Sequence, residues 1–212
     1  MRKVLYIALA VMLCGLYAVS QDYPKAELFG GFSVLHADTE NAQNFIGGGV
    51  NIKSWYPGWT IAGQYNLTKM LGVKADISGH YGTPLTNVPG FPKAKSYTFV
   101  FGPVISFRDH FGDRLTPFAH ALFGGNHISV DSSAFFGSPS GSETSFAMAF
   151  GGGVDWRLTH HFSARLGQFD YLYTKHCGNL GALTGNTCVL GTPGFPTDHQ
   201  NNFRFSTGIV IH

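Results

Sequence analysis

Two groups of residues have types and spacings that could do chemistry. His127 and Ser129 are two residues apart, so on an extended strand they share a face, and Glu143 follows across a hairpin connection. A carboxylate near an imidazole, with the imidazole taking the proton of a hydroxyl, is a general way to make a serine nucleophilic. Cys177 and Cys188 form the second group, with His176 and His199 near them. These four could hold a metal ion, but their spacing matches no standard zinc pattern. In an exported chain the two cysteines are expected to form a disulfide, worth about 3 kcal/mol in the chain-entropy picture. No metal site is expected.

The remaining candidates are weaker. His160 and His161 are adjacent and cannot share a strand face. His80 and His120 read as hydrogen-bonded filler of an interior, and the sequon Asn66-Leu67-Thr68 as coincidence. The run Phe150-Gly-Gly-Gly-Val-Asp155 has the glycine density of a phosphate loop. Such a loop must open a helix, whose N-terminus meets the phosphate. Here a turn follows, Leu158-Thr159-His160-His161, and then another alternating run. No nucleotide or other cofactor is therefore expected.

The elements that must position these residues are strands. From Phe146 to Arg157 large apolar side chains occupy one parity and Ala, Gly, Asp and Arg the other, a period of two. The same alternation recurs over Ala26–Val34, Trp59–Leu67, Leu71–Tyr81, Tyr97–Phe107, Pro117–Asn126, Phe162–Gly167 and Phe203–Ile211. That makes eight strands. Short turns near Thr68-Lys69, Asp109–Asp113 and Thr159-His160 alternate with four long connections, near 36–57, 82–95, 131–143 and 175–201. Short turns at one end and long loops at the other mark an outer-membrane barrel. "YNLTKMLGVKAD" (Tyr65–Asp76) aligns without gaps with "WRLTHHFSARLG" (Trp156–Gly167), which suggests two equivalent hairpins. Pro-Gly-Phe-Pro occurs twice, at Pro89 and Pro193, as rigid turns.

Composition agrees. The 212 residues include 28 Gly and 19 Phe, with 15% aromatic and only 12% charged residues. A net charge of +2 gives no electrostatic case for nucleic acid. Met1-Arg2-Lys3, the apolar run Val4–Val19 and Ala18-Val19-Ser20 read as a secretory signal peptide over 1–20, leaving the barrel domain at 21–212. Leu13 before Cys14 argues against lipidation. No later apolar stretch is long enough for a membrane helix. A membrane-inserted mature chain must therefore cross as a closed barrel.

In such a barrel the bulky face meets lipid and the small or charged face fills a narrow lumen. The small face carries Glu27, Asp76, Asp155, Lys74, Arg157 and Arg204, both signs together. With Arg165 inside, strict alternation turns Asp170 toward lipid; a bulge at Gly167 would shift the parity and bring Asp170 in beside Arg165 and Arg204. Trp59, Tyr65, Tyr97, Trp156 and Tyr171 fall near strand ends, as interface aromatics do. The fold class is all-β: an eight-stranded antiparallel up-and-down transmembrane barrel with a filled lumen. A secreted soluble sandwich and a small porin are the alternatives.

The segments "AELFGGFSVL" (Ala26–Leu35), "LGVKADISGHYG" (Leu71–Gly82), "TPFAHALFGGNH" (Thr116–His127), "FGGGVDWRL" (Phe150–Leu158) and "NNFRFSTGIVI" (Asn201–Ile211) resemble the bacterial outer-membrane β-barrel domain family, the OmpA/OmpX-like eight-stranded group. The resemblance implies a monomer in the outer membrane of a Gram-negative-type bacterium, among lipid and lipopolysaccharide, with periplasmic termini and extracellular long loops. It implies delivery by the barrel-assembly machinery, which reads the last strand. Gly208 and Ile211 match that strand's pattern; His212 stands where a final aromatic is expected. No peptidoglycan-binding segment follows, so cell-wall tethering is not implied. The role implied is structural or surface-binding and not enzymatic. His127-x-Ser129 also looks like the His-x-Ser of outer-membrane lipid A deacylases, but the rest of that pattern is absent and alternation puts His127 on the lipid side.

Overall fold

The computed structural model describes residues 23–37, 55–82, 94–108, 114–130, 141–176 and 198–212. The expected signal peptide, Cys177, Cys188 and both Pro-Gly-Phe-Pro turns lie outside these residues. Eight strands form: β1 (Ala26–His36), β2 (Trp55–Asn66), β3 (Leu71–Gly82), β4 (Ala94–Ser106), β5 (Leu115–Val130), β6 (Gly141–Arg157), β7 (Phe162–His176) and β8 (Asp198–Ile211). Every neighbour in sequence pairs antiparallel, and β1 closes on β8, with Leu28 opposite Ile211. Closure removes both sheet edges, so no strand is left with an unpaired side.

The alternation predicted from sequence sets which face is which. Phe32, Ile61, Ile77, Phe99 and Phe146 point outward and are about half exposed, and Phe101 reaches 71%. Their partners in the alternation, among them Ser33, Thr60, Ser78 and Thr98, are fully buried. A water-soluble protein buries the first set and wets the second. Here the order is reversed, which suits a barrel with lipid outside. Among the described residues no helix is long and apolar enough to cross a membrane, a statement that leaves strands untouched.

The internal sequence echo is a structural repeat. In the β2–β3 turn the amides of Leu67 and Thr68 both donate to the Leu71 carbonyl, at 2.9 and 3.0 Å. In the β6–β7 turn Leu158 and Thr159 donate in the same way to the Phe162 carbonyl, both at 3.0 Å. The hydroxyls of Thr68 and Thr159 each accept from the two amides that close the turn. A threonine at this place supplies the acceptor that a short turn lacks. Asn66, the sequon asparagine, is 1% exposed and donates inward to the Pro24 carbonyl and to Glu27.

β7 is irregular. Its register slips between Arg165 and Gln168 against β8, and opposite Val154/Asp155 on β6. One extra residue at Leu166-Gly167 lets Arg165 and Gln168 both point inward, and Thr207 donates to the Arg165 carbonyl at 2.9 Å across the gap. This is the bulge expected near Gly167, and after it Asp170 is buried at 2%.

Candidate functional site

The chemistry of this chain is concentrated in the barrel interior. At its centre Arg204 is held on two sides. Its Nη1 donates to Asp76 at 2.7 Å and to Ser78 at 2.8 Å, while Nε and Nη2 donate to Asp170 Oδ2 at 2.9 and 2.6 Å. One step toward the short turns, Arg165 makes a two-pronged pair with Asp155 at 2.7 and 2.9 Å. Its guanidinium carbon lies 4.2 Å from the Phe29 ring centre and 4.3 Å from that of Phe118, a cation between two aromatic faces. Gln168 joins the two clusters. Its carbonyl accepts from Arg165 and Lys74, and its amide donates to Asp170 at 2.7 Å. His120 Nε2 comes within 3.0 Å of Asp170.

Glycine makes room for this. A side chain at Gly151 would collide with the Asp170 carboxylate, and one at Gly153 with the Phe118 ring. The glycine run that looked like a phosphate loop is the floor on which the ionic cluster rests. At the short-turn mouth Glu27 accepts from Arg108 and Asn66, and Arg108 also donates to the Lys69 carbonyl at 2.7 Å. Toward the long connections the interior turns apolar: Leu35, Val100, Leu122, Ala147, Ala149 and Leu172 form one cluster, with Tyr56 against it. Above that layer Asn126 donates to Ser96 and Thr98.

The residues singled out from sequence are thus distributed unevenly. Lys74, Asp76, Asp155, Arg165, Asp170 and Arg204 come together, and Glu27 sits at the mouth. Arg157 does not join them: it is exposed at the end of β6, where the inward parity runs out into the turn. His80 bonds Ser33 at 3.0 Å. His127 shares a cross-strand position with Thr144, and its Nδ1 meets the Thr144 hydroxyl at 2.8 Å. Ser129 stands opposite Ser142, and Glu143 opposite Ile128, so Glu143 falls on the other parity from the two residues it was expected to assist. Among the described residues no group of three or more His, Cys, Asp or Glu could hold a metal ion.

The outer membrane protein β-barrel domain family matches residues 6–207. The chain belongs to that family. Among solved structures, Neisserial surface protein A aligns over 88% of this chain and 96% of its own, with a TM-score of 0.57 at 14% identity. The attachment invasion locus protein of Yersinia pestis aligns over the same shares, with a TM-score of 0.51 at 15% identity. No curated protein matches the chain in sequence. At these identities the likeness is one of fold. This is an outer-membrane β-barrel protein.

An outer-membrane barrel should carry aromatics at the levels where lipid meets water. At the short-turn end Tyr65 and Trp156 are exposed; toward the long connections Trp59 donates to Tyr81, and Tyr81 to Tyr97. Tyr171 donates to Asn201 at 2.5 Å. Sequence reasoning missed Arg108 and Gln168. Arg108 lies just past β4, in a stretch that reads as a turn. Gln168 is uncharged, and only the bulge turns it inward; the slipped parity around Gly167 was the signal that could have found it.

Proposed function

We propose that this protein is a monomeric outer-membrane barrel with a filled, non-conducting lumen, and that its work is structural and surface-facing. The long connections would face the cell exterior and the termini the periplasm. Residues 1–20 would be removed on export, and the last strand would be read by the barrel-assembly machinery. The four long loops would then serve envelope integrity or adhesion, and the chain would carry no enzymatic activity.

One observation supports this above the others: the described interior is filled with buried side chains, an ionic cluster followed by an apolar layer. Arg204, Asp76 and Asp170 at 1–2% exposure fill the middle, and a layer with Leu122 and Leu172 at 0% lies beyond them. An eight-stranded barrel is just wide enough for its own side chains. Against an acyl-transfer role, His127 is engaged by Thr144, and Glu143 stands on the other parity.

Planar-bilayer recording of the purified barrel tests the reading. We expect no openings of diffusion-porin size, and stable openings would overturn it. Surface labelling of cysteines placed in the long connections of intact cells is expected to succeed; labelling only after the outer membrane is broken would reverse the orientation. Loss of matrix binding by a deletion strain points to adhesion, and detergent sensitivity to envelope integrity.

A further inference from the structure

We propose that the short-turn mouth of the barrel is a binding site for the terminal carboxylate of a peptide, held by Arg114 and Arg157 with the His212 ring beside them. The proposal rests on the orientation given above, which turns this mouth to the periplasm. Arg157 has the inward parity of the ion-pair network yet stays outside it, exposed at the end of β6. Its amide donates to the Arg114 carbonyl at 2.8 Å, so the two arginines stand opposite each other where β5 begins and β6 ends. Like charges opposite each other destabilise a strand pair. Both side chains are exposed, and neither guanidinium has a carboxylate partner among the described residues.

The row continues across two more strands. Ser163 stands opposite Arg157 in the β6–β7 register and is 3% exposed. His212, just past β8, reaches back to it: Ser163 Oγ and His212 Nε2 are 2.7 Å apart. The His212 amide donates to the His161 carbonyl at 3.0 Å, which fixes the backbone behind the ring. With the Ser163 hydroxyl donating to Nε2, the ring proton sits on Nδ1. Nδ1 is buried and has no partner among the described residues. A buried donor without an acceptor is costly, so an oxygen belongs beside it.

The nearby acids do not supply that oxygen. Glu27 and Asp155 lie within electrostatic reach of the ring. Glu27 accepts from Arg108 and Asn66, and Asp155 is held by both prongs of Arg165. The mouth is thus floored by satisfied pairs, and an anion from outside the chain completes the set above them. The shape of the site selects among anions. Leu115, Trp156, Phe162 and Ile211 carry the exposed apolar surface that faces lipid here, and they lie on the opposite parity from the arginines. The site therefore opens to water and not to the bilayer. Its floor of ion pairs admits only the end of a chain. A carboxylate at such an end offers two oxygens in one plane, the match for an arginine fork. Arg157, long and exposed, would carry it over the His212 ring, where Nδ1 donates to the second oxygen.

The test is an NMR titration of the full barrel in a non-ionic maltoside detergent, following the backbone amides at positions 157 and 163 and the His212 ring. The probes are acetyl-trialanine with its free carboxylate, the same peptide as its C-terminal amide, and inorganic phosphate. We expect saturable shifts with the free acid, and binding of the amide and of phosphate at least tenfold weaker. Arg114→Gln combined with Arg157→Gln should lower the affinity about tenfold, the scale of one lost charge-assisted hydrogen bond. Lys175→Ala, at the opposite mouth, is expected to leave it unchanged. Heat-modifiable gel mobility shows that each variant is folded. Equal binding of the amide, equal binding of phosphate, or affinity indifferent to Arg114 and Arg157 would overturn the site. The packed-barrel reading would survive each of these outcomes, because conductance tests it separately, and surface labelling tests the orientation.

Discussion

The two halves of the barrel interior solve one problem in opposite ways. Toward the short turns the lumen is ionic: Asp76, Asp155, Asp170 and Glu27 are matched by Lys74, Arg165, Arg204 and Arg108. Toward the long connections it is closed by Leu35, Val100, Leu122, Leu172 and two alanines. Both halves exclude water, but only the ionic half specifies direction. An arginine fork accepts a carboxylate in one orientation, whereas leucines tolerate many repackings. The ionic half therefore fixes which strands meet across the lumen, and the apolar half keeps bulk water from weakening those pairs.

The largest effect should come from breaking the ionic half on one side only. Asp170→Ala leaves Arg204 with Asp76 as its one carboxylate, beside the Ser78 hydroxyl, and strips Gln168 of an acceptor. Removing one partner of a buried pair costs about 3–5 kcal/mol. Urea unfolding in lipid or detergent is expected to show a loss of that size. Asp170→Ala combined with Arg204→Met removes both charges and should recover a good part of it. If the double variant is as damaged as the single, the pair matters through shape and not through charge, and the contrast between the halves weakens.

The sequence carried the barrel because its signal, period two, is written at nearly every strand position. It carried most of the ionic half as well, since charges on a small-residue face have nowhere to go but a lumen. What it hid depended on geometry with no local mark. Arg157 has the right parity but one turn too little strand, so it ends in the open. Arg108 has no parity to read, yet it reaches back to Glu27. The apolar half was illegible for a different reason: inward Leu122 and Leu172 look like any lipid-facing leucine until the register is known.

A smaller effect is expected in the apolar half. Leu172→Ala removes a fully buried side chain from the layer between the ionic cluster and the outer mouth. A large-to-small change in a well-filled core costs about 2–4 kcal/mol when the site cannot collapse. Rigid strands on all sides leave little room for collapse, but the outer mouth can admit water, so the lower end is expected. A second readout sharpens the contrast. With the plug thinned, amide exchange along β8 near Arg204 should quicken, whereas in Asp170→Ala the exchange near Leu35 should change less. Equal spread from both variants would mean that the interior behaves as one unit.

The smallest effect should come from a change that looks the most drastic, deletion of Gly167. β7 carries one residue more than β6 and β8 can pair. Removing it leaves Arg165, Leu166 and Gln168 in plain alternation, still with Arg165, Gln168 and Asp170 inward. What is lost is the local twist and the Thr207 bond to the Arg165 carbonyl, together worth about 1 kcal/mol if a single neutral hydrogen bond sets the scale. The variant should fold, keep its heat-modifiable mobility and unfold at slightly lower urea. A failure to fold would show that the bulge does more than correct parity. It would then be aiming Arg165 between Phe29 and Phe118, where a small turn of the backbone separates a stacked guanidinium from a buried, unpaired one.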